Sequence, residues 1–162
     1  VVFDNKNCRF DPHVLLVHTK QPMEILNSDP VAHNTGVQFQ RNPSFSTGVA
    51  SNQRVTQTMD VAEALPSPAA CNVHPWMGGW IVVKDNPYMA VTDEDGNFVI
   101  ENVPAGVELE FQVWHERGAG SQGSVEGSGP AANIERGRLK LTVPKDGEVN
   151  LQDITEPPSS FR

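Results

Sequence analysis

A cysteine, a histidine and a methionine fall within seven residues of one another in the run Cys71–Met77, which reads CNVHPWM. Their side chains offer a thiolate, an imidazole and a thioether, the groups that bind soft and borderline transition metals. Two imidazoles and a thiolate in one plane, with a weak axial methionine, bind copper in electron-transfer sites, so the run supplies three of four such ligands. The chain must therefore adopt a fold that brings a second histidine to this short loop.

The missing imidazole should lie upstream. His33, which directly precedes Asn34 and lies 38 positions before Cys71, stands where the cupredoxins, which this loop resembles, carry their first histidine ligand. A lone cysteine or histidine is ordinarily a core or loop residue. Zinc favours harder or more thiolate-rich ligand sets than one that includes methionine. The combined pattern predicts one copper ion, cycling between copper(I) and copper(II), with the ligands His33, Cys71, His74 and Met77.

These motifs resemble the plastocyanin and amicyanin group of the cupredoxins over about residues 7 to 84, and the short Cys-x-x-His-x-x-Met loop is most similar to that of amicyanin. The resemblance implies an all-β, Greek-key sandwich in which His33 is buried behind the loop and His74 lies near the surface. Cys71 would be the thiolate ligand and Met77 the long axial one. Asn34 would tie the two ligand loops together by hydrogen bonds from outside the ligand set.

Local patterns predict short strands and many turns in this part of the chain. Residues 9–17 and 23–27 are predicted to form an opening hairpin, and residues 60–65 a helical turn. The strand before the cysteine must be short or interrupted, because prolines stand at positions 66 and 68. An apolar strand over 79–84 is predicted to close the sheet.

Residues 85–162 are predicted to form an additional β-rich extension, packed on the copper-binding domain of residues 1–84 or merged with it. The motifs TDEDGNF, VPAG and WHE are similar to the carboxypeptidase regulatory-like β-sandwich, a module without catalytic activity. Strands are expected on both sides of an Asp-Gly turn over 90–100, and over 108–115 and 138–143. The Gly/Ser-rich tract 118–129 is predicted to be a mobile loop or linker, and 155–162 a frayed tail.

The formal net charge of −8 argues against nucleic acid or an anionic membrane as a partner. No apolar stretch approaches 18 residues, so no membrane span is predicted. The chain begins at Val1 rather than at a start methionine, which favours either a processed mature form or a trimmed chain, whose signal peptide or anchor is missing. Together with the resemblance, this predicts a periplasmic or extracellular protein.

The leading functional hypothesis is an electron carrier that exchanges one electron with a c-type cytochrome or another copper protein. Pro75 and Trp76 flank the exposed ligand and, with Trp80 or Trp114, could form an apolar docking collar. Copper storage or delivery is the alternative, and a structural or adhesion module is a third hypothesis. An enzyme is not expected, because no open catalytic centre or catalytic triad is recognisable.

Cys8 allows three interpretations: a buried free thiol, a disulfide with Cys71, or a further ligand in a two-cysteine copper centre. His115, next to Glu116, is interpreted as a structural histidine at the end of a sheet, packed beside Trp114.

Overall fold

The computed structural model describes residues 1–161, apart from the side chain of Ser121. The chain divides into two compact units, Val1–Ile100 and Glu101–Arg162. The contacts thus group residues 85–100, assigned above to the extension, with the first unit. The predicted all-β class is confirmed. The strands of the first unit are β1 (Val2–Lys6), β2 (Arg9–Asp11), β3 (Val14–His18), β4 (Met23–Asn27), β5 (His33–Val37), β6 (Phe45–Val49), β7 (Arg54–Gln57), β8 (Ser67–Ala70) and β9 (Gly78–Lys84).

Two sheets of the first unit enclose one apolar core. Their strand orders are β2-β1-β4-β7 and β3-β9-β8-β5-β6. Alternate residues of β4 and β5 are buried, the pattern of strands with one face toward a core. Phe3 and Ile25 from the first sheet meet Val17 and Ile81 from the second in a single cluster. The unit is therefore a β-sandwich, with its core between the two sheets.

The predicted opening hairpin is wrong. β3 pairs in parallel with β9, whereas β4 pairs in parallel with β1, so these consecutive strands belong to opposite sheets. An alternating apolar pattern specifies which face of a strand is buried and leaves its hydrogen-bonding partner open. The polar segment 19–22 carries the chain from one sheet to the other instead of folding it back. The closing strand is confirmed as β9, and β8 is short and contains Pro68, as expected.

The predicted helical turn over 60–65 is not formed. Its first N–H groups have other acceptors, because the side-chain oxygen of Asn42 accepts hydrogen bonds from the N–H groups of Asp60 and Val61. The carboxylate of Glu63 in turn accepts the N–H of Asn42 at 2.9 Å. The segment is therefore held by cross-chain hydrogen bonds in a non-helical path.

The predicted Asp-Gly turn near residue 95 is present, but residues 90–100 form no strands. The carboxylate of Asp93 accepts the N–H groups of Asp95 and Asn97 at 3.0 and 2.8 Å. These hydrogen bonds close the turn locally. The residues on either side of the turn do not form the pair of hydrogen-bonded strands that the alternating pattern predicted.

The second unit contains two small antiparallel sheets. Its buried apolar residues are Val125, Ile134, Leu139 and Val143. The predicted strands over 108–115 and 138–143 are confirmed in shorter form as β10 (Glu108–Gln112) and β13 (Arg138–Thr142), which pair with each other. The remaining elements are β11 (Gly127–Ser128) paired with β12 (Asn133–Ile134), and the 3₁₀ turns η1 (Ser121–Gly123) and η2 (Pro158–Ser160).

The Gly/Ser-rich tract 118–129 is hydrogen-bonded structure instead of a linker. The N–H of Gly120 donates to the carbonyl of Ser124, and that of His115 to the carbonyl of Gly123. The tail over 155–162 is likewise held, since Phe161 bridges to Gly118. Residue 162 lies outside the described residues. Glycine-rich composition signalled flexibility, whereas here the missing side chains allow segments to approach closely.

Replacing Gly79 by alanine is expected to lower the free energy of unfolding by about 1–3 kcal/mol, as overpacking of a core does. A Cβ there would lie 3.0 Å from the carbonyl oxygen of His13 and 3.2 Å from the ring of Phe3. Gly78→Ala is the matched control, because a Cβ at Gly78 meets nothing within 4 Å. Denaturant unfolding of both variants measures the difference, and equal stabilities would contradict the close approach.

Candidate metal centre

The pairing of β5 with β8 brings the two segments that contain the predicted ligands to the same end of the β3-β9-β8-β5-β6 sheet. β5 begins at His33 and β8 ends at Ala70, and the two strands are antiparallel neighbours. The start of β5 therefore lies beside Cys71, the residue that follows β8. Pairing of Ala70 with Gly78 closes the seven-residue loop Cys71–Met77 between β8 and β9. The loop is thus anchored at both ends by the ladder.

Three of the predicted ligands converge at this edge. The Sγ atom of Cys71 lies 3.9 Å from Nδ1 of His33 and 3.8 Å from Nδ1 of His74. The two Nδ1 atoms are 2.9 Å apart. Cys71 and His33 are each 2 % exposed, and His74 is half-buried. One sulfur and two ring nitrogens thus form a small triangle that opens to solvent beside His74.

Met77 is placed by the same loop. Its N–H donates to the carbonyl of His74 at 2.9 Å, and its carbonyl accepts the N–H of Cys71 at 3.3 Å. The residue is 2 % exposed, so its thioether is buried within the sandwich. A thiol, two facing imidazoles and a buried thioether fit copper by donor type, since thiolate, imidazole and thioether are the groups that copper sites combine.

A carboxylate fixes the proton positions of the two imidazoles. Oδ2 of Asp29 lies 2.9 Å from Nε2 of His33. Because an ionised carboxylate only accepts hydrogen bonds, Nε2 of His33 carries the proton that faces Asp29, and in the neutral form of the ring Nδ1 is then an acceptor. The hydrogen bond between the rings is then donated by Nδ1 of His74. His33 is therefore already in the tautomer that presents Nδ1 to the centre of the triangle.

Asp29 is itself held by the turn between β1 and β2. Its Oδ1 accepts the N–H of Asn7 at 2.6 Å, and its Oδ2 accepts the N–H of Cys8 at 2.9 Å. Burial raises the pKa of this carboxyl, but the N–H groups of Cys8 and Asn7 and the imidazole of His33 outweigh it, so the pKa lies below its usual value. The group is therefore ionised at neutral pH.

Asn34 makes the hydrogen bonds expected of a residue that ties the ligand segments together. Its side-chain oxygen accepts the N–H of Asn72 at 2.6 Å and the thiol of Cys71 at 3.6 Å. Its amide group donates to Oγ of Ser46 at 3.0 Å. The segment that begins β5 is thereby linked directly to the loop that follows β8.

Cys8 is not a vertex of the triangle, but it lies close to one of them, His33. Both cysteines are free thiols, so the disulfide interpretation is wrong for this structure. Cys8 groups instead with Asp29 and His33, whose ligand atoms and its own Sγ lie within 4.8 Å of one another. The group formed by Cys71, His33 and His74 does not include it. The structure therefore brings Cys71 and His74 of the loop together with His33, and places the second thiol beside Asp29 and the same His33.

The surface beside His74 is apolar. Val73 is 58 % exposed and Trp76 is 69 % exposed, and the ring of Trp76 lies 5.2 Å from that of His74 between centroids. Residues 64–83 contain no charged side chain.

His115 belongs to the second unit, where its ring packs edge-on against Phe161 at 5.0 Å and its Nδ1 accepts the N–H of Arg117.

Asp29 is a candidate functional residue to which the sequence analysis assigned no role. A clue was present, because an acidic residue stands four positions before the predicted ligand His33 in a segment of otherwise uncharged residues. The loop between them is shaped by Asn27, which is 2 % exposed and donates to the carbonyls of Val31 and Val49. No pattern of neighbouring residues shows that this loop returns the carboxylate to the ring.

Among the residues that the structure describes, no helix has the length and apolar character of a membrane span.

No protein-family profile matches the chain, and no curated protein matches it significantly. Solved structures with a similar arrangement include a reduced variant of amicyanin, at 20% identity and a TM-score of 0.46, over 52% of this chain and 81% of that one. A copper-containing nitrite reductase from Thermus scotoductus is similar at 23% identity and a TM-score of 0.48, over 53% of this chain and 22% of that one.

Proposed function

We propose that the chain is a mononuclear copper electron-transfer protein with His33, Cys71, His74 and Met77 as the ligands. The observation that carries the proposal is the triangle of one thiol and two facing ring nitrogens, with a thioether in the same closed loop. A copper ion bound there would supply a one-electron couple between copper(I) and copper(II).

Each proposed ligand would bind such an ion in a defined protonation state. Cys71 gives up its thiol proton and binds as a thiolate. His33 needs no rearrangement, because Asp29 already holds the proton on Nε2. His74 moves its proton from Nδ1 to the solvent side of the ring, which frees Nδ1. The anchored strands keep the ligands in one geometry, which favours fast electron exchange because little reorganisation is required.

The half-buried His74 is the proposed route for electrons, and the apolar surface around Trp76 is the proposed docking site for a c-type cytochrome or another copper protein. Weak redox complexes use small interfaces, where a single exposed aromatic residue has a large effect. The carrier is proposed to act in the periplasm or outside the cell. Residues 85–162 are proposed to form the regulatory-like module, with no direct part in electron transfer.

Trp76→Ser is expected to slow electron transfer with a c-type cytochrome about tenfold, which corresponds to roughly 1.4 kcal/mol of lost docking energy. The difference between the two rates should change little with ionic strength, because the docking loop carries no charge and Trp76→Ser adds none. Val2→Ser is the matched control, since Val2 is 41 % exposed on the other sheet. Stopped-flow kinetics is measured with the cytochrome and with a small inorganic reductant. The small reductant needs no docking surface, so a change confined to the cytochrome reports on docking and not on the metal centre. An unchanged cytochrome rate would contradict this surface.

The assignment of the metal centre is tested by the visible absorption and electron paramagnetic resonance spectra of the protein loaded with one copper(II). We expect an intense thiolate-to-copper band and a narrow copper hyperfine pattern, both lost in Cys71→Ser and unchanged in Cys8→Gly. A band reshaped by Cys8→Gly would indicate a two-cysteine centre. A weak band with rapid loss of copper to a chelator would favour storage or delivery over electron transfer.

A further inference from the structure

A second group of metal-binding side chains meets His33 from a different part of the chain. Sγ of Cys8, a carboxylate oxygen of Asp29 and a ring nitrogen of His33 lie within 4.8 Å of one another. We propose that these three residues form a second metal site, for a thiophilic divalent cation of the zinc type, and that its occupation excludes copper from the first site.

The donor set suits zinc. A thiolate, a carboxylate and an imidazole are all common zinc ligands, and three protein ligands with one open position is the arrangement of exchangeable zinc sites. The two negative charges of Cys8 and Asp29 would balance a divalent ion, which favours its burial. Calcium and magnesium prefer sets made of oxygen, so they are poor occupants. Asp29 and His33 are buried and Cys8 is half-buried, so an ion would enter past the thiol.

Only one hydrogen bond has to be exchanged for an ion. Oδ2 of Asp29 and Nε2 of His33 are 2.9 Å apart, and the ion takes the place of the proton between them. Two ligand atoms of a tetrahedral zinc ion lie about 3.4 Å apart, as follows from bond lengths near 2.1 Å. A small separation of this pair and an approach of the Cys8 Sγ, which already lies within 4.8 Å of both atoms, bring the three ligands to such spacings. The N–H groups of Asn7 and Cys8 continue to hold the carboxylate.

When an ion displaces the proton from Nε2 of His33, the ring can carry a proton on Nδ1 instead. When Nε2 of His33 binds an ion, the neutral ring carries its proton on Nδ1, which then donates to Nδ1 of His74 at 2.9 Å. In this tautomer Nδ1 of His33 carries the proton, so it has no free lone pair with which to bind copper. One imidazole thus serves two sites, and the position of its proton decides which of them can be filled.

The backbone at Cys8 supports a role for its thiol. Asn7 and Cys8 form the two-residue turn between β1 and β2, and both have positive φ, 56° and 54°. Asn-Gly is the pair that such turns favour, because glycine adopts positive φ without steric cost. A cysteine at the second position is sterically unfavourable, because its Cβ approaches the following carbonyl oxygen at positive φ. Cys8→Gly therefore removes the thiol while relieving the turn.

Cobalt(II), a spectroscopic substitute for zinc, tests the site in a Cys71→Ala background, where Cys8 is the remaining thiol. We expect one cobalt ion per chain with a thiolate-to-cobalt band and tetrahedral visible bands, displaced by zinc. Adding His74→Ala should leave these bands intact, whereas adding His33→Ala or Cys8→Gly should weaken binding by more than the roughly 10–100-fold effect of an outer-shell change. Circular dichroism checks that each variant is folded.

Absence of a thiolate band in Cys71→Ala, or a band that survives His33→Ala, would overturn the site. Exclusion is tested separately on the unsubstituted protein, where copper and zinc together should give one bound ion per chain. Two bound ions would overturn the exclusion. The site test uses variants without the copper thiolate, so its result stands apart from that of the proposed electron-transfer function.

Discussion

Asp29→Ala is expected to lower the affinity of the protein for copper ten- to a hundredfold, the usual effect of removing a carboxylate that orients a ligand histidine. Without the carboxylate, nothing at Oδ2 holds the proton on Nε2 of His33. The ring is then free to carry it on Nδ1 and to donate to His74, so copper binding must first reverse that tautomer. The N–H groups of Asn7 and Cys8 also lose their acceptor, which loosens the turn beside the ring.

Competition with a copper(I) chelator measures this affinity, and Asp4→Asn is the matched control. Asp4 also loses one negative charge on substitution, and its half-buried side chain accepts the hydroxyl of Ser28 at 2.6 Å. The control should bind copper as the unsubstituted protein does. Asp29→Asn should resemble Asp29→Ala, because its amide group would face a backbone N–H donor. Equal affinities for the Asp29 and Asp4 variants would show that Asp29 does not position His33.

The shared loop of the proposed ligands was predictable because it is local in the sequence. Cys71, His74 and Met77 share a loop whose length is set by the strands on either side, so residue type and spacing sufficed to place them together. His33 was predictable only through the resemblance to cupredoxins. Its contact with Cys71 depends on the register of β5 against β8, which a single sequence does not specify.

The partners of His33 beyond the triangle could not be predicted for the same reason. Asp29 and Cys8 reach the ring because the β1–β2 turn packs on the loop before β5, a contact between segments separated by more than 20 residues. The opening hairpin failed similarly. Strand pairs such as β3 with β9 join residues more than 60 positions apart, and apolar alternation carries no information about such partners.

Glu63→Gln is expected to lower the free energy of unfolding by about 3 kcal/mol, since hydrogen bonds to a charged group contribute roughly 1.5–3 kcal/mol each and several are weakened together. Glu63 is 2 % exposed. Its carboxylate accepts the N–H groups of Gln40, Arg41 and Asn42, and the side-chain amide of Asn42 at 2.8 Å. An amide in its place turns an NH₂ group toward these donors. Asp60→Asn, an equal change of charge at an exposed position nearby, should be close to neutral.

The effect of Glu63 on stability should also depend on pH. Burial raises the pKa of this carboxyl, but hydrogen bonds from the side chain and N–H of Asn42 and from the N–H groups of Arg41 and Gln40 bring it below the unfolded value of 4.5. The folded state therefore favours the ionised form, whose contribution is complete above pH 4.5 and lost as the pH falls through the folded pKa. Denaturant unfolding of the unsubstituted protein and Glu63→Gln from pH 7 to pH 3 measures the difference. It should shrink on acidification, and a constant difference would show that the ionised carboxylate is not what holds residues 40–42.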